Sequence, residues 1–160
     1  MNIFKSLLIY LLLISINSYS YAFDTEQICL AKNIYFEAGN QPLAGRLAVA
    51  HVVLNRVEDK KFPNSICEVI YQADWHENWK GNIVPLLGKC QFSWFCDGKS
   101  DKPTDLKTWN ESLEIAYNFS HTRPLDITEG ALWYHADYVK PYWSKDLQHI
   151  VTIENHLFYK

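Results

Sequence analysis

The sequence predicts an α+β domain, mainly helical, with a small β element near the C-terminus. Two patterns predict it. Apolar residues recur at helical spacing between residues 24 and 71 and again between 104 and 121, whereas β-branched and aromatic residues concentrate after residue 130. A chain of 160 residues with 48% hydrophobic and 21% charged residues has the balance of one globular domain, which excludes disorder and collagen-like repeats.

The first 22 residues stand apart from that domain. Lys5 supplies an early positive charge, residues 6–16 are apolar apart from Ser6 and Ser15, and Ser20-Tyr21-Ala22 places small residues where a signal peptidase reads. The run is shorter than the roughly 18 apolar residues a membrane anchor needs. The expectation is a signal peptide, residues 1–22, and an exported chain, residues 23–160, in the periplasm or outside the cell with no integral membrane segment. Cys29 lacks the small-residue context of a lipidated cysteine.

Asp24 and Gln27 have capping-box spacing, and Ile28, Ala31, Ile34 and Ala38 follow at helical intervals, so a first helix is expected over 25–38. Gly39 suits a left-handed C-cap. "PLAGRLAVAHVVLNRV", residues 42–57, is apolar almost all round and reads as a central, buried helix. A short helix over about 65–71, capped by Asn64, comes next. Residues 73–102 lack a helical period and are punctuated by Gly81, Pro85, Gly88 and Gly98, which reads as a long irregular segment of the functional kind. Helical spacing returns over 104–121. "ALWYH" and "HIVTIENHLFY" then read as short strands.

Charge and cysteines exclude several functions. Lys5 is the one basic residue before Phe23, so the remainder carries 14 basic against 18 acidic residues, and that net of −4 argues against a nucleic-acid partner. Cys29, Cys67, Cys90 and Cys96 all fall in the exported part, where an even count suggests two disulfides. Three pairings are open. There is no Cys-x-x-Cys or His-Glu-x-x-His, so neither a metal nor another cofactor is expected.

Glu37 is the residue that structure alone does not favour. At the end of the first helix it faces the partial negative charge of unpaired carbonyls, which costs a carboxylate about 0.3–1 kcal/mol. Apolar neighbours Ile34, Tyr35 and Phe36, if they desolvate it, also favour the protonated acid. An acid that keeps its proton can donate it to a leaving oxygen. The competing reading is a solvated glutamate on a helix edge.

His51 and Asn55 are spaced i, i+4 on the apolar central helix, where they must either bond backbone groups or line a cleft. "CQFSWFCDG" sets Gln91, Ser93 and Trp94 between two cysteines. "ALWYHADYVKPYW" gathers Tyr134, His135 and Tyr138 among further aromatics. Rings with a polar edge suit stacking on sugars, although most aromatic residues only pack.

The blocks "CLAKNIYFEAGNQPLAGRLAVAHVVLNRV", "FPNSICEVIYQ", "CQFSWFCDG", "GALWYHADYVKPYW" and "HLFY" together resemble the SleB-type cell-wall hydrolases, the group that includes spore-cortex-lytic enzymes. The likeness runs from about Gln27 to Tyr159. It implies a lysozyme-like fold and cleavage of the β-1,4 bond between N-acetylmuramic acid and N-acetylglucosamine. The family's catalytic glutamate falls on Glu37. Its other motif positions fall on Asn55, Gln91, Ser93, Tyr134 and His135, and Trp94 and Tyr138 join them as expected glycan-binding residues.

Hydrolysis with water normally needs a second carboxylate about 5–9.5 Å from the first. Asp97 and Asp137 are the available candidates. A lone acid fits a lytic transglycosylase better, with a muramidase-type hydrolase and a non-catalytic glycan-binding module as the alternatives, and a metal-dependent amidase using His51, His135 and His149 as the remotest. The expected partner is the peptidoglycan glycan strand, with room for a regulating protein.

Overall fold

The computed structural model of the chain describes residues 23–160; the expected signal peptide lies outside them. Helices and small antiparallel sheets follow one another as α1 (Thr25–Ala38), α2 (Leu43–Glu58), α3 (Ile66–Ile70), β1 (Ala73–Glu77), β2 (Ile83–Cys90), α4 (Leu106–Thr122), β3 (Trp133–Ala136), β4 (His149–Ile153) and β5 (His156–Tyr159). Two 3₁₀ turns, Ser93–Cys96 and Tyr142–Lys145, complete the order. This is the expected α+β class.

Helix α1 begins where the sequence places it, because the Asp24 carboxylate accepts from Gln27 N at 2.8 Å while Gln27 Oε1 accepts from Asp24 N at 3.1 Å. Its C-terminus differs from expectation. Gly39 is right-handed, with φ −59°, and glycine is needed there for space, since a Cβ would lie 2.4 Å from Tyr35 O. Arg46 on α2 then secures that end by donating to Gly39 O at 2.8 Å and Gln41 O at 2.9 Å, and pairs with Glu111 of α4 at 2.5 Å.

Helix α2 is apolar all round because it lies between two cores. One face joins Leu30, Ile34, Val69, Ile70, Phe92 and Trp94 through Ala50 and Val53. The other meets Ala131 and Phe158 through Ala48 and Val52, against the sheet of order β3-β5-β4. Helix α3 is capped by Ser65, one residue later than expected, through a bond from Glu68 N to its hydroxyl.

The segment expected to be irregular contains an antiparallel hairpin, β1 paired with β2. Its turn is organised by Asn78, whose Oδ1 accepts from Lys80 N at 2.9 Å and Asn82 N at 3.0 Å. Side chains on both faces are mostly exposed, so no apolar alternation marks the strands. Disulfides join Cys29 to Cys67, tying α1 to α3, and Cys90 to Cys96, closing the loop that carries Gln91, Ser93 and Trp94. Among the described residues no helix is long and apolar enough to cross a membrane.

Candidate active site

Glu37 occupies the last turn of α1, which carries no basic residue. Two cavities, of about 710 Å³ and about 530 Å³, meet at it; Phe36, Glu37, Ala136, Tyr138 and His156 line both. Glu37 therefore stands where the two cavities adjoin to form one groove. Tyr134 on β3 donates from its hydroxyl to Glu37 Oε2 at 2.8 Å. Desolvation raises the Glu37 carboxyl above the usual glutamate range, while the Tyr134 hydrogen bond and the Arg56 charge pull the other way. Burial likewise raises the Tyr134 phenol, so it stays a donor at neutral pH.

The larger cavity brings together Gln91, Ser93, Trp94, Tyr134, His135 and Tyr138, six of the residues the sequence singled out. Each is held differently. Trp94 is buried, stacks on Phe36 with centroids 4.9 Å apart, and donates from Nε1 to Asn33 Oδ1 at 3.0 Å, so it forms the floor and not an open platform. His135 stacks on Tyr159 and hydrogen-bonds its hydroxyl at 2.9 Å. Tyr138, 84% exposed, is the open aromatic ring beside Glu37.

Asn55 is not in this groove. Its amide donates to Asp126 Oδ2 at 3.0 Å, Ala131 O at 3.1 Å and Thr128 Oγ1 at 3.3 Å, bracing the loop that leads into β3. Burial alone would push Asp126 up, but bonds from Thr128, Asn55 and Gly130 outweigh it and hold the carboxylate low. His51 is buried against Phe119, with Nδ1 3.6 Å from Asp126, and burial keeps it neutral by lowering its pKa. It belongs to the core. Among the described residues, no group of three or more His, Cys, Asp or Glu side chains is placed to hold a metal.

Of the two further acids considered, Asp97 lines the larger cavity and accepts from Lys99 N at 2.8 Å, whereas exposed Asp137 lines neither.

Three residues of the site escaped the sequence reading. Arg56 stands next to last in the run on α2 that reads as core, yet it lines the larger cavity. His156 opens "HLFY"; it is 7% exposed, its Nδ1 has no partner, and its ring meets Tyr134 edge-on at 5.3 Å. Asp101 lines the larger cavity beside Asp97. A polar residue near the end or at the start of an apolar run was the available signal for the first two.

This architecture has solved counterparts. The chain is similar to the catalytic domain of the germination-specific lytic transglycosylase SleB from Bacillus anthracis, with a TM-score of 0.62 and 27% identity over 88% of this chain and 98% of that one. It is also similar to the catalytic domain of the Bacillus cereus SleB protein, with a TM-score of 0.58 and 27% identity over 88% and 94% of the two chains. Among curated sequences, 43 residues are 44% identical to the spore cortex-lytic enzyme of Bacillus subtilis (strain 168), a stretch that covers 27% of this chain and 14% of that protein. The corresponding Bacillus cereus enzyme is 42% identical over 43 residues, 27% of this chain and 17% of its own length. The match thus spans a small part of these relatives. Residues 40–159, beginning just after Glu37, match the sequence pattern of the cell wall hydrolases, and the chain belongs to that family.

Proposed function

We propose that this chain is a peptidoglycan-cleaving enzyme, a lytic transglycosylase acting on the β-1,4 bond between N-acetylmuramic acid and N-acetylglucosamine, with Glu37 as its single acid and base. The observation that carries this is the position of Glu37, whose carboxyl burial raises above the usual glutamate range, in the wall shared by two adjoining cavities. Protonated Glu37 gives its proton to the bridging oxygen, and the N-acetylglucosamine leaves with a free 4-hydroxyl. The carboxylate so formed, held by Tyr134 and faced by the Arg56 charge, takes the proton of the muramic C6 hydroxyl as O6 bonds to C1. The product is a 1,6-anhydro sugar, no water is consumed, and Glu37 ends protonated.

Gln91, Ser93, Tyr134, His135 and Tyr138 are the proposed glycan contacts, with Trp94 shaping the floor beneath them. A water-using muramidase is the second reading, favoured by Asp97 in the same cavity. Incubating purified protein with isolated peptidoglycan and weighing the products decides between them. Anhydromuramic ends are expected; reducing muramic ends alone would establish the hydrolase, and no release of fragments would reject both.

Export fits the same picture. The two disulfides support an oxidising compartment, periplasmic or extracellular, where the glycan strand is the partner. Removal of residues 1–22 by signal peptidase is tested by sequencing the N-terminus of the secreted protein, with Phe23 as the expected first residue.

A further inference from the structure

Arg56 is 2% exposed, with its guanidinium carbon 5.2 Å and 5.3 Å from the Phe62 and Phe92 ring centroids. Burial lowers it to about 10, so it remains a cation at neutral pH and needs acceptors. Leu132 O accepts from Nε at 2.7 Å. The Gln91 amide oxygen accepts from Nη1 at 3.1 Å and Nη2 at 3.2 Å in the orientation that satisfies both groups.

That contact removes a freedom glutamine usually has. A free amide can turn over and offer either its oxygen or its NH₂, but turning Gln91 would set NH₂ against a guanidinium, donor against donor. Its backbone is held as well, by the bond from Gln91 N to Gln72 O at 2.8 Å and by the Cys90–Cys96 link around the loop. The exposed, groove-lining end of Gln91 is therefore a donor. Sugar hydroxyls can answer a donor or an acceptor equally. An acetamido carbonyl answers a donor only.

We propose that Arg56 is a positioning residue that locks Gln91 as a donor-only contact for the N-acetyl carbonyl of the glycan. The proposal rests on the glycan-cleaving reading above and adds the group recognised.

Two variants test it, each combined with Glu37→Gln so that bound glycan is not consumed. Gln91→Glu keeps the Arg56 contact as an ion pair, which protects the fold, but replaces the donor with oxygen. Gln91→Met removes the donor without adding charge. Binding of insoluble peptidoglycan, native and chemically de-N-acetylated, is measured by co-sedimentation. Both variants should bind native glycan about tenfold more weakly and de-N-acetylated glycan no more weakly than their Glu37→Gln parent does. Equal losses on the two glycans, or no loss on either, would overturn the proposal. The wild type's ability to release fragments from peptidoglycan is scored separately, so failure of the enzymatic reading is distinguishable from failure of this one.

Discussion

The Tyr134 hydroxyl lies 2.8 Å from Glu37 Oε2 and donates to it, linking the end of α1 to the first strand of the C-terminal sheet across 97 residues of sequence. Tyr134 also packs against both hydrophobic cores, so the position of its hydroxyl is set by the whole fold. This bond favours the carboxylate form of Glu37 and opposes the larger effect of desolvation.

Replacing Tyr134 with Phe should therefore raise the Glu37 pKa further. An enzyme that needs protonated Glu37 loses kcat/KM above that pKa, so the alkaline limb of the pH profile should move to higher pH. The rate at the optimum should drop about ten- to a hundredfold, because the carboxylate formed after proton donation loses a bond that stabilises it. Initial rates of peptidoglycan solubilisation across pH check both effects. An unmoved limb would show that Glu37 is not the titrating acid.

Glu37→Gln should abolish turnover, by roughly 10²–10⁴-fold or more, and should also make the protein more stable at neutral pH. In the unfolded chain the carboxyl ionises near its ordinary value of 4.5, whereas burial keeps it protonated to higher pH in the folded state. Below that ordinary value both states hold the proton and the folded state carries no penalty. As pH rises toward the folded-state pKa, the unfolded chain releases its proton first and folding stability falls. Glutamine has no such term. Thermal melts should show a Tm advantage of a few degrees for the variant at pH 7 that vanishes by about pH 4.

The sequence carried this much of the site because its signals were local. The Asp24–Gln27 box and the spacing that follows it place α1, and Glu37 in its final turn, without tertiary knowledge. Signals that depend on what a segment packs against were lost. The β1–β2 hairpin exposes both faces and so lacks the alternation that identifies a strand. Arg56 sits on a helix surrounded by apolar residues, and only the fold shows that Gln91 and Leu132 O come to meet it. The cysteine pairing was open for the same reason, since it requires α3 to lie beside α1.

Asn55 separates a motif position from a groove contact. Its amide holds Asp126, Thr128 and Ala131 together in the loop before β3, outside the groove. Asn55→Ala should therefore destabilise the fold by about 1–3 kcal/mol through the acceptors left behind. KM for glycan should stay within about twofold of wild type at temperatures where the variant is folded, since the change there is to fold stability and not to a glycan contact. Chemical denaturation paired with kinetics checks this, and a rise in KM without loss of stability would return Asn55 to the groove.

The two disulfides should divide stability from activity. The Cys29–Cys67 bridge spans 38 residues and joins two helices of the main core, so replacing both cysteines with serine should cost about 2–4 kcal/mol by the loop-closure argument. The Cys90–Cys96 bridge spans only 6 residues and restricts the unfolded chain far less, for which the same relation gives about 2 kcal/mol. Its loop, however, carries Gln91 and Ser93 on the groove wall. Serine at both Cys90 and Cys96 should leave Tm closer to wild type than the first pair does, while raising KM severalfold because the wall must be ordered on binding. If the short bridge proved the larger contributor to Tm and left KM unchanged, the loop would be a structural clasp and the glycan would have to be held from the opposite wall.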